Sequence, residues 1–407
     1  MSYRFVKITS FYRDYLNYYY SKNNNVLNLS YDGQYKNLMG DCFAWADFFQ
    51  KHLNKLGVDA FEIVYNAELL QKAWAKEHDT DLKNKDLLFF QLKTIAPEIV
   101  FFQDSNLFNG EWIDYIKREI PSIKKVIGSC GSPFTAHQMQ LYKNFDFMIT
   151  SSPLFNEQFI NSGLKSYQLM HAFEKDILSK INTASSNNKT DFLFLGSLVP
   201  GDDFHDARIL IIEELLRKSV DLEVYSKLNI DSHLRLITKK IIYYQTKILM
   251  KTGFHNIVEN NMLLKKFSIL SSAPKNPDIS GTLMDKIKPP VFGLEMYKTI
   301  ADSNICLNIH IGATGNYASN IRLFEVTGVG SCLVTDWKKN LNDLFEIDKE
   351  VVAFKSAEEC VEKVKWLLNN PKEREAIAKA GQQRVLKDHT LESRVRLLDE
   401  IIRKELS

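Results

Sequence analysis

Residues 304–336, NICLNIHIGATGNYASNIRLFEVTGVGSCLVTD, constrain the fold more than any other stretch of the chain. Residues 305–309 are rich in Ile and Leu and carry no charge, which suits a strand buried on both faces. Gly312 and Gly315 open a loop. Ser319 is the expected N-cap of the following helix. Gly328 is expected at C′ of that helix, and Gly330 loosens the start of a second strand over 331–335. Strand, loop, helix and strand make a crossover unit of a parallel sheet. In open parallel sheets, ligands gather at the carboxyl ends of strands and at helix N-termini.

The rest of the chain repeats this alternation. Strands are expected over 3–8, 60–65, 98–102, 145–150, 191–195 and 222–225, and helices over 43–56, 67–76, 208–216 and 394–404. Ser356 with Glu359 reads as a capping box, and Asn370-Pro371 as N-cap and N1 of another helix. Residues 17–35 are polar and rich in Asn and Tyr. Residues 181–190, INTASSNNKT, lack periodicity and read as a linker. Strands separated by helices imply crossovers and hence parallel sheets.

A length of 407 residues suits two domains. With 45% hydrophobic and 25% charged residues, the composition is that of a soluble globular protein. The net charge of +2 argues against a dedicated nucleic-acid binder. Five cysteines show neither C-x-x-C nor zinc spacing, which fits a reducing cytoplasm. Residues 1–20 carry no apolar signal-peptide core, and no apolar run is long enough to span a bilayer.

Arg322 and Glu325 stand three apart, on one helix face. A guanidinium in the first turn suits phosphate oxygens, and a carboxylate one turn deeper suits vicinal hydroxyls. Diphosphate plus ribose would fit that pair, although the spacing equally fits an ordinary surface ion pair. Gly196-Ser197 ends a strand where backbone N–H groups can approach a phosphate, or simply turns the chain. His205 and Arg208 follow at i and i+3, and Arg208 suits either a phosphate or a loop carboxylate such as Asp202. His310 ends the 305–309 strand, facing the expected cleft or serving structure. Asp79-Thr80-Asp81 follows a helix end and reads as a solvated turn, so no metal site is expected. Residues 232–258 contain no acidic residue but have Arg235, Lys239, Lys240, Lys247 and Lys251. Leu234, Ile237, Ile241, Tyr244 and Ile248 share one helical face. This segment reads either as an interfacial helix near anionic lipid or a lipid-linked acceptor, or as a helix packed on its domain with a solvated basic face.

N-x-R-x-x-E at Asn320, Arg322 and Glu325, followed by a small-residue turn and an apolar strand, resembles the nucleotide-sugar site of GT-B glycosyltransferases, in particular the CgeB-like (spore-maturation-protein-like) group 1 enzymes. The likeness extends through 340–345, 350–352, 356–360, 374–381 and 389–390, and upstream to 192–197 and the His205, Arg208 pair. It is close in the C-terminal half and only an outline in the N-terminal half. It implies two Rossmann-like domains facing a cleft: an acceptor-side domain over 1–180 and a donor domain over 191–385, with a tail over 386–407 crossing back. It implies a nucleotide-diphosphate sugar held by Gly196, Ser197, Arg208, Tyr225, Gly312, Tyr317, Asn320, Arg322 and Glu325. Sugar transfer to a glycan or lipid-linked acceptor, in surface polysaccharide or glycoconjugate synthesis, is the expected activity, with no metal. Epimerisation of a nucleotide sugar and non-catalytic binding are the alternatives. Many retaining relatives carry E-x7-E; here Tyr317 stands where the first Glu belongs, which leaves retention or inversion open. Inversion would need a base for the acceptor proton. Asp104 is the first candidate, before His171 and Glu174, and Arg322 and His310 would serve the leaving group.

Overall fold

A computed structural model describes residues 2–181, 190–198, 206–228, 231–275 and 279–407. Among these, twelve strands form two six-stranded sheets, and every pairing is parallel. The first sheet holds β1 (Arg4–Thr9), β2 (Asp59–Val64), β3 (Ile99–Phe102), β4 (Lys125–Ser129), β5 (Phe147–Thr150) and β6 (Ser166–Gln168). The second holds β7 (Thr190–Leu195), β8 (Glu223–Tyr225), β9 (Ile287–Lys288), β10 (Ser303–Asn308), β11 (Cys332–Asp336) and β12 (Val352–Phe354).

The first sheet is ordered β2-β1-β3-β4-β5-β6 and the second β12-β11-β10-β7-β8-β9. Counted within itself, the second sheet has the 3-2-1-4-5-6 order of dinucleotide-binding folds. Each order reverses direction once, between β1 and β3 and between β7 and β10. A crevice opens at such a point because the flanking crossovers leave on opposite faces. In register, Phe5 lies beside Ala60 and Ile99, and Ile305 beside Phe192 and Cys332. Helices cover both faces, so the inner strands are largely apolar, β3 most of all: it is Ile-Val-Phe-Phe and wholly buried.

The two halves share one apolar cluster, to which Phe5, Phe49 and Phe101 contribute from one side and Leu323, Phe324 and Leu333 from the other. Phe292 meets the rings of Tyr15, Tyr18 and Phe43 edge-on. Asp41 Oδ1 accepts from the Leu294 N–H at 3.3 Å. Gly293 has φ +56°, and a Cβ there would stand 2.0 Å from Asp41 Oδ2, so this contact requires glycine. Lys227 bridges to Asp14 at 2.8 Å. The C-terminal Leu391–Leu406 helix packs on the Phe48–Lys55 helix. Its Asp399 accepts from Tyr3 Oη at 2.8 Å, and its Glu405 from Tyr167 Oη at 2.6 Å.

The structure departs from several local expectations. The helix expected over 43–56 begins only at Phe48, because Cys42, Ala44 and Ala46 adopt positive φ beside the interface. Residues 17–35 are not featureless: Arg13–Lys22 and Tyr31–Gly40 are helices. Tyr15 and Tyr19, four apart, bury one face of the first, so packing overrides weak helix propensity. Ser319 does not cap the later helix, which starts at Arg322; the Asn320 side chain accepts from the Arg322 N–H at 2.7 Å. Gly328 is the last helical residue, and Gly330 takes the positive φ of +85°. Gly328 matters for another reason. A Cβ there would come within 2.3 Å of the Phe173 ring, at the junction of the two halves. Of the capping box expected at Ser356 and Glu359 only half forms: Ser356 Oγ accepts from the Glu359 N–H at 3.2 Å, while the Glu359 carboxylate accepts from the Lys355 N–H at 2.7 Å instead of the Ser356 N–H. Residues 182–189 of the expected linker, and His205 and Asp202, lie outside the described residues.

Candidate functional site

Four groups converge at the carboxyl ends of β7, β10 and β11. Arg322 is the first residue of the Arg322–Gly328 helix, in the crossover from β10 to β11. Asn320 positions it: its Oδ1 holds the Arg322 N–H, and its Nδ2 donates to Asn308 Oδ1 at 2.7 Å, at the end of β10. The Arg322 guanidinium lies 2.8 Å from Glu325 Oε2, and Glu325 Oε1 accepts from the buried Tyr297 Oη at 3.2 Å. The Glu325 side chain is 5% exposed and that of Arg322 is 18% exposed. The i,i+3 pair therefore exists, but it is a buried pair at the sheet edge, not one on a solvated face. A carboxylate has about four lone-pair sites, so these two partners leave Glu325 with acceptor capacity.

Arg208 follows β7 on the Asp206–Arg217 helix. Its Nε donates to the Ile309 carbonyl at 2.9 Å and its Nη1 to the Ser197 carbonyl at 3.0 Å. Among the described residues no carboxylate pairs with it. Burial and then the charge of Arg322 push its pKa down to about 10, with Asp336 opposing. Arg208 and Arg322 are thus close enough to repel each other. Gly196 sits under this arginine, and a Cβ there would touch Arg208 Nη1 at 3.5 Å.

His310 follows β10 and is buried. Its ring Nδ1 is 2.7 Å from Asp336 Oδ1, and that same oxygen accepts from the His310 N–H at 2.9 Å. Lys338 lies 3.2 Å from Asp336 Oδ2. Burial raises the Asp336 carboxyl, but His310 and then Lys338 outweigh it and the net shift is downward. The far nitrogen, Nε2, is buried and has no hydrogen-bond partner among the described residues. A carboxylate behind Nδ1 fixes ring and tautomer, so Nε2 is the atom available to a ligand.

The other expected residues lie around this centre. Tyr225 ends β8, where its carbonyl accepts from the Gly196 N–H at 3.2 Å. Gly312 begins a short turn, Gly312–Thr314, and Tyr317 follows with Lys339 over its ring at 5.2 Å. Asp104 stands apart, in the first half, just past β3 at that sheet's own reversal point. Its Oδ1 accepts from the Asn106 N–H at 2.9 Å. His171 and Glu174 are built into the junction instead. Burial, with Arg394 adding to it, lowers His171 to about 4. Glu174 is 2.6 Å from His52 and 2.9 Å from Lys51, and against the opposing effect of burial these hold it down at about 2. A carboxylate so firmly ionised is a weak base.

Sequence reading missed Asp336, Lys338, Tyr297 and Tyr12. Asp336 and Lys338 were within reach, because Asp336 ends the second strand of the crossover and Lys338 follows two residues on. Tyr12 follows β1 at the reversal point of the first sheet. It is 72% exposed. Even so, surrounding protein and then the charge of Glu325 raise its phenol, with Arg322 opposing. The charges of the Arg322–Glu325 pair therefore reach it from the other half.

A separate cavity lies elsewhere. It measures about 630 Å³, between the Glu68–Glu77 and Asn84–Ile95 helices, and Asp79, Thr80 and Asp81 help line it. Lysines and carboxylates alternate on its walls, so its charge selects no ligand. No three His, Cys, Asp or Glu side chains among the described residues gather as a metal site would require.

A family model described as glycosyl transferase-like matches residues 260–400, about a third of the chain. No curated protein matches the sequence. Among solved structures, a glycosyltransferase of Rickettsia africae is 12% identical, covers 100% of this chain and 99% of its own, and gives a TM-score of 0.57. The HepE protein of Anabaena, in complex with UDP and glucose, is 10% identical over 98% of this chain and 99% of its own, with a TM-score of 0.57. The sucrose-phosphate synthase of Thermosynechococcus elongatus is 10% identical over 99% of both chains, with a TM-score of 0.51. With its two facing parallel sheets, this chain has the GT-B fold.

Proposed function

We propose that the protein is a glycosyltransferase that moves a sugar from a nucleoside-diphosphate donor to a glycan or lipid-linked acceptor in surface polysaccharide or glycoconjugate synthesis. One observation carries the reading. Arg208 and Arg322 converge at the reversal point of the second sheet, and among the described residues Arg208 bonds to carbonyls only. Two guanidiniums that repel each other, one of them paired with no carboxylate among the described residues, call for an anion. A diphosphate supplies it with fitting charge and geometry. HepE of Anabaena, which shares the fold, is solved with UDP and glucose, which supports the same class of donor here.

In this reading Glu325 accepts from the ribose hydroxyls. As the glycosidic bond breaks, negative charge grows on the leaving phosphate oxygen. Arg322 and Arg208 are already oriented and gain interaction energy as that charge develops. His310 Nε2 bonds a phosphate oxygen or a sugar hydroxyl. Asp104, across the cleft, takes the acceptor proton if the enzyme inverts. The five free, buried thiols fit a cytoplasmic setting. No divalent metal is assigned a role.

A thermal-shift screen of UDP, GDP, dTDP and CMP sugars tests the donor class. One nucleotide family should stabilise the wild type, and Arg208→Ala should weaken its calorimetric affinity at least about tenfold, as loss of a charged hydrogen-bond donor does. Stabilisation by none of them would sink the proposal. Release of nucleoside diphosphate should persist in EDTA; loss in EDTA that manganese restores would show that a metal is needed.

A further inference from the structure

Between β8 and β9 the chain leaves the sheet for a helical insert: His233–Lys251, His255–Asn260 and Met262–Ser268. These three helices pack mainly on one another. Tyr243 and Thr246 are buried in that packing. The opposite face of the long helix is not covered by the described residues of its own domain. Leu234, Ile237, Ile241, Tyr244 and Ile248 form a stripe, each between 41% and 77% exposed. At 1.5 Å per residue the helix is about 28 Å long. Past its end the apolar surface continues through Phe254, Ile257, Met262 and Leu263, all more than half exposed. Single exposed apolar residues are ordinary; a continuous stripe with an apolar tip marks an interaction surface.

Charge indicates the occupant. Residues 231–269 hold seven basic side chains and two acidic ones, whereas the rest of the chain holds 45 and 48. The insert alone makes the protein basic. Not every lysine is free: Lys239 and Arg235 pair with Asp231, and Lys247 donates to the Ser268 carbonyl at 2.9 Å. Lys240 and Lys251 lie on the helix row bordering the apolar stripe, with no carboxylate partner among the described residues. Lys266 is exposed on the third helix. An apolar face edged by cations matches the boundary between acyl chains and anionic headgroups. A second copy fits poorly, because a two-fold contact would press two strongly basic surfaces together. No helix among the described residues is long and apolar enough to cross a membrane, so the insert would lie on the bilayer.

We propose that the 233–269 insert docks this protein on an anionic phospholipid bilayer, with the 234–248 stripe and the 254–263 tip in the interface and Lys240, Lys251 and Lys266 against lipid phosphates. The insert leaves the sheet just past β8, on the edge that carries Arg208, and the Lys227–Asp14 bridge to the first half begins there. Docking would therefore bring the cleft mouth to the lipid surface.

The test is co-sedimentation of the full chain with phosphatidylcholine vesicles, with and without phosphatidylglycerol. It needs no sugar donor, so its outcome is independent of the transferase reading. Binding should require the anionic lipid and fall with salt. Lys240→Glu with Lys251→Glu should lower partitioning by roughly thirtyfold or more. Ile241→Asp with Ile248→Asp should abolish it without lowering Tm, since both residues are exposed. Absent binding, equal binding to neutral vesicles, or unchanged binding of these variants overturns the proposal. A solution dimer that the Ile241→Asp, Ile248→Asp variant dissociates overturns it in favour of a second copy.

Discussion

Lys7–Glu62 and Arg322–Glu325 are both buried ion pairs, 2.7 Å and 2.8 Å apart, and they stand at opposite kinds of address. Lys7 and Glu62 are paired in register mid-strand on β1 and β2, both wholly buried, with the rings of Trp45 and Phe49 near the ammonium. Burial pushes Glu62 up and Lys7 down, so both shifts favour neutral partners. The pair holds one proton wherever it sits. Arg322–Glu325 lies at the carboxyl edge of the other sheet, with the guanidinium partly open to the cleft. Burial of opposite charges thus fails to mark a site; position at a strand end beside a second cation, one with no carboxylate partner among the described residues, does. The first pair should act on stability alone, the second on turnover as well.

The largest effect should come from breaking the inner pair. Glu62→Ala leaves a buried ammonium without compensation and should cost about 3–5 kcal/mol of unfolding free energy. Lys7→Met with Glu62→Leu should recover most of it. Neither change should alter nucleotide affinity of the folded protein. Denaturant melts with calorimetry check both, and an affinity change would mean that the first sheet talks to the donor site. In Lys7→Met alone, Glu62 keeps a raised pKa with no ammonium to offset it. Stability should then fall as pH rises above the ordinary carboxyl value, because the unfolded state loses its proton first.

Next comes Arg322→Ala. Loss of a preorganised donor to a developing charge typically costs about 10²–10³ in rate. Arg322→Lys keeps the charge but not the planar fork and should recover only part of it. If turnover of the folded variant is intact while Tm drops, the second pair is as structural as the first. Glu325→Gln should weaken nucleoside diphosphate binding by about 1.5–3 kcal/mol, the range for a hydrogen bond to a charged group. Unchanged calorimetric affinity would remove its ribose contact.

The smallest effect concerns a third paired carboxylate. Glu174 is held at about 2, below its unfolded value. Its contribution is present above the unfolded pKa and is lost as pH falls toward 2. Acid unfolding curves of Glu174→Gln should lose part of this slope between about pH 4.5 and 2. A slope that persists would assign acid sensitivity to other carboxylates.

Local rules carried much of this molecule, for reasons that are local. Uncharged runs flanked by helices can only be inner strands of parallel sheets, so β3, β7, β10 and β11 were legible, and with them the strand-end address of His310 and Arg322. Capping chemistry placed the helices after Ser356 and Asn370. Three-residue spacing placed Arg322 and Glu325 on one face and left open whether that face was solvated. Only the tertiary structure decided the rest. Burial of the Arg322–Glu325 pair depends on Tyr297, which stands 28 residues before Glu325. The approach of Arg208 to Arg322 depends on β7 lying beside β10, a pairing across more than a hundred residues. Gly328 is small because Phe173 of the other half packs onto it, and Gly293 because Asp41 does. The apolar stripe of the insert read as either packed or free, since a helix carries the same pattern whichever surface covers it. Its exposure followed from the insert folding on itself and leaving that face uncovered.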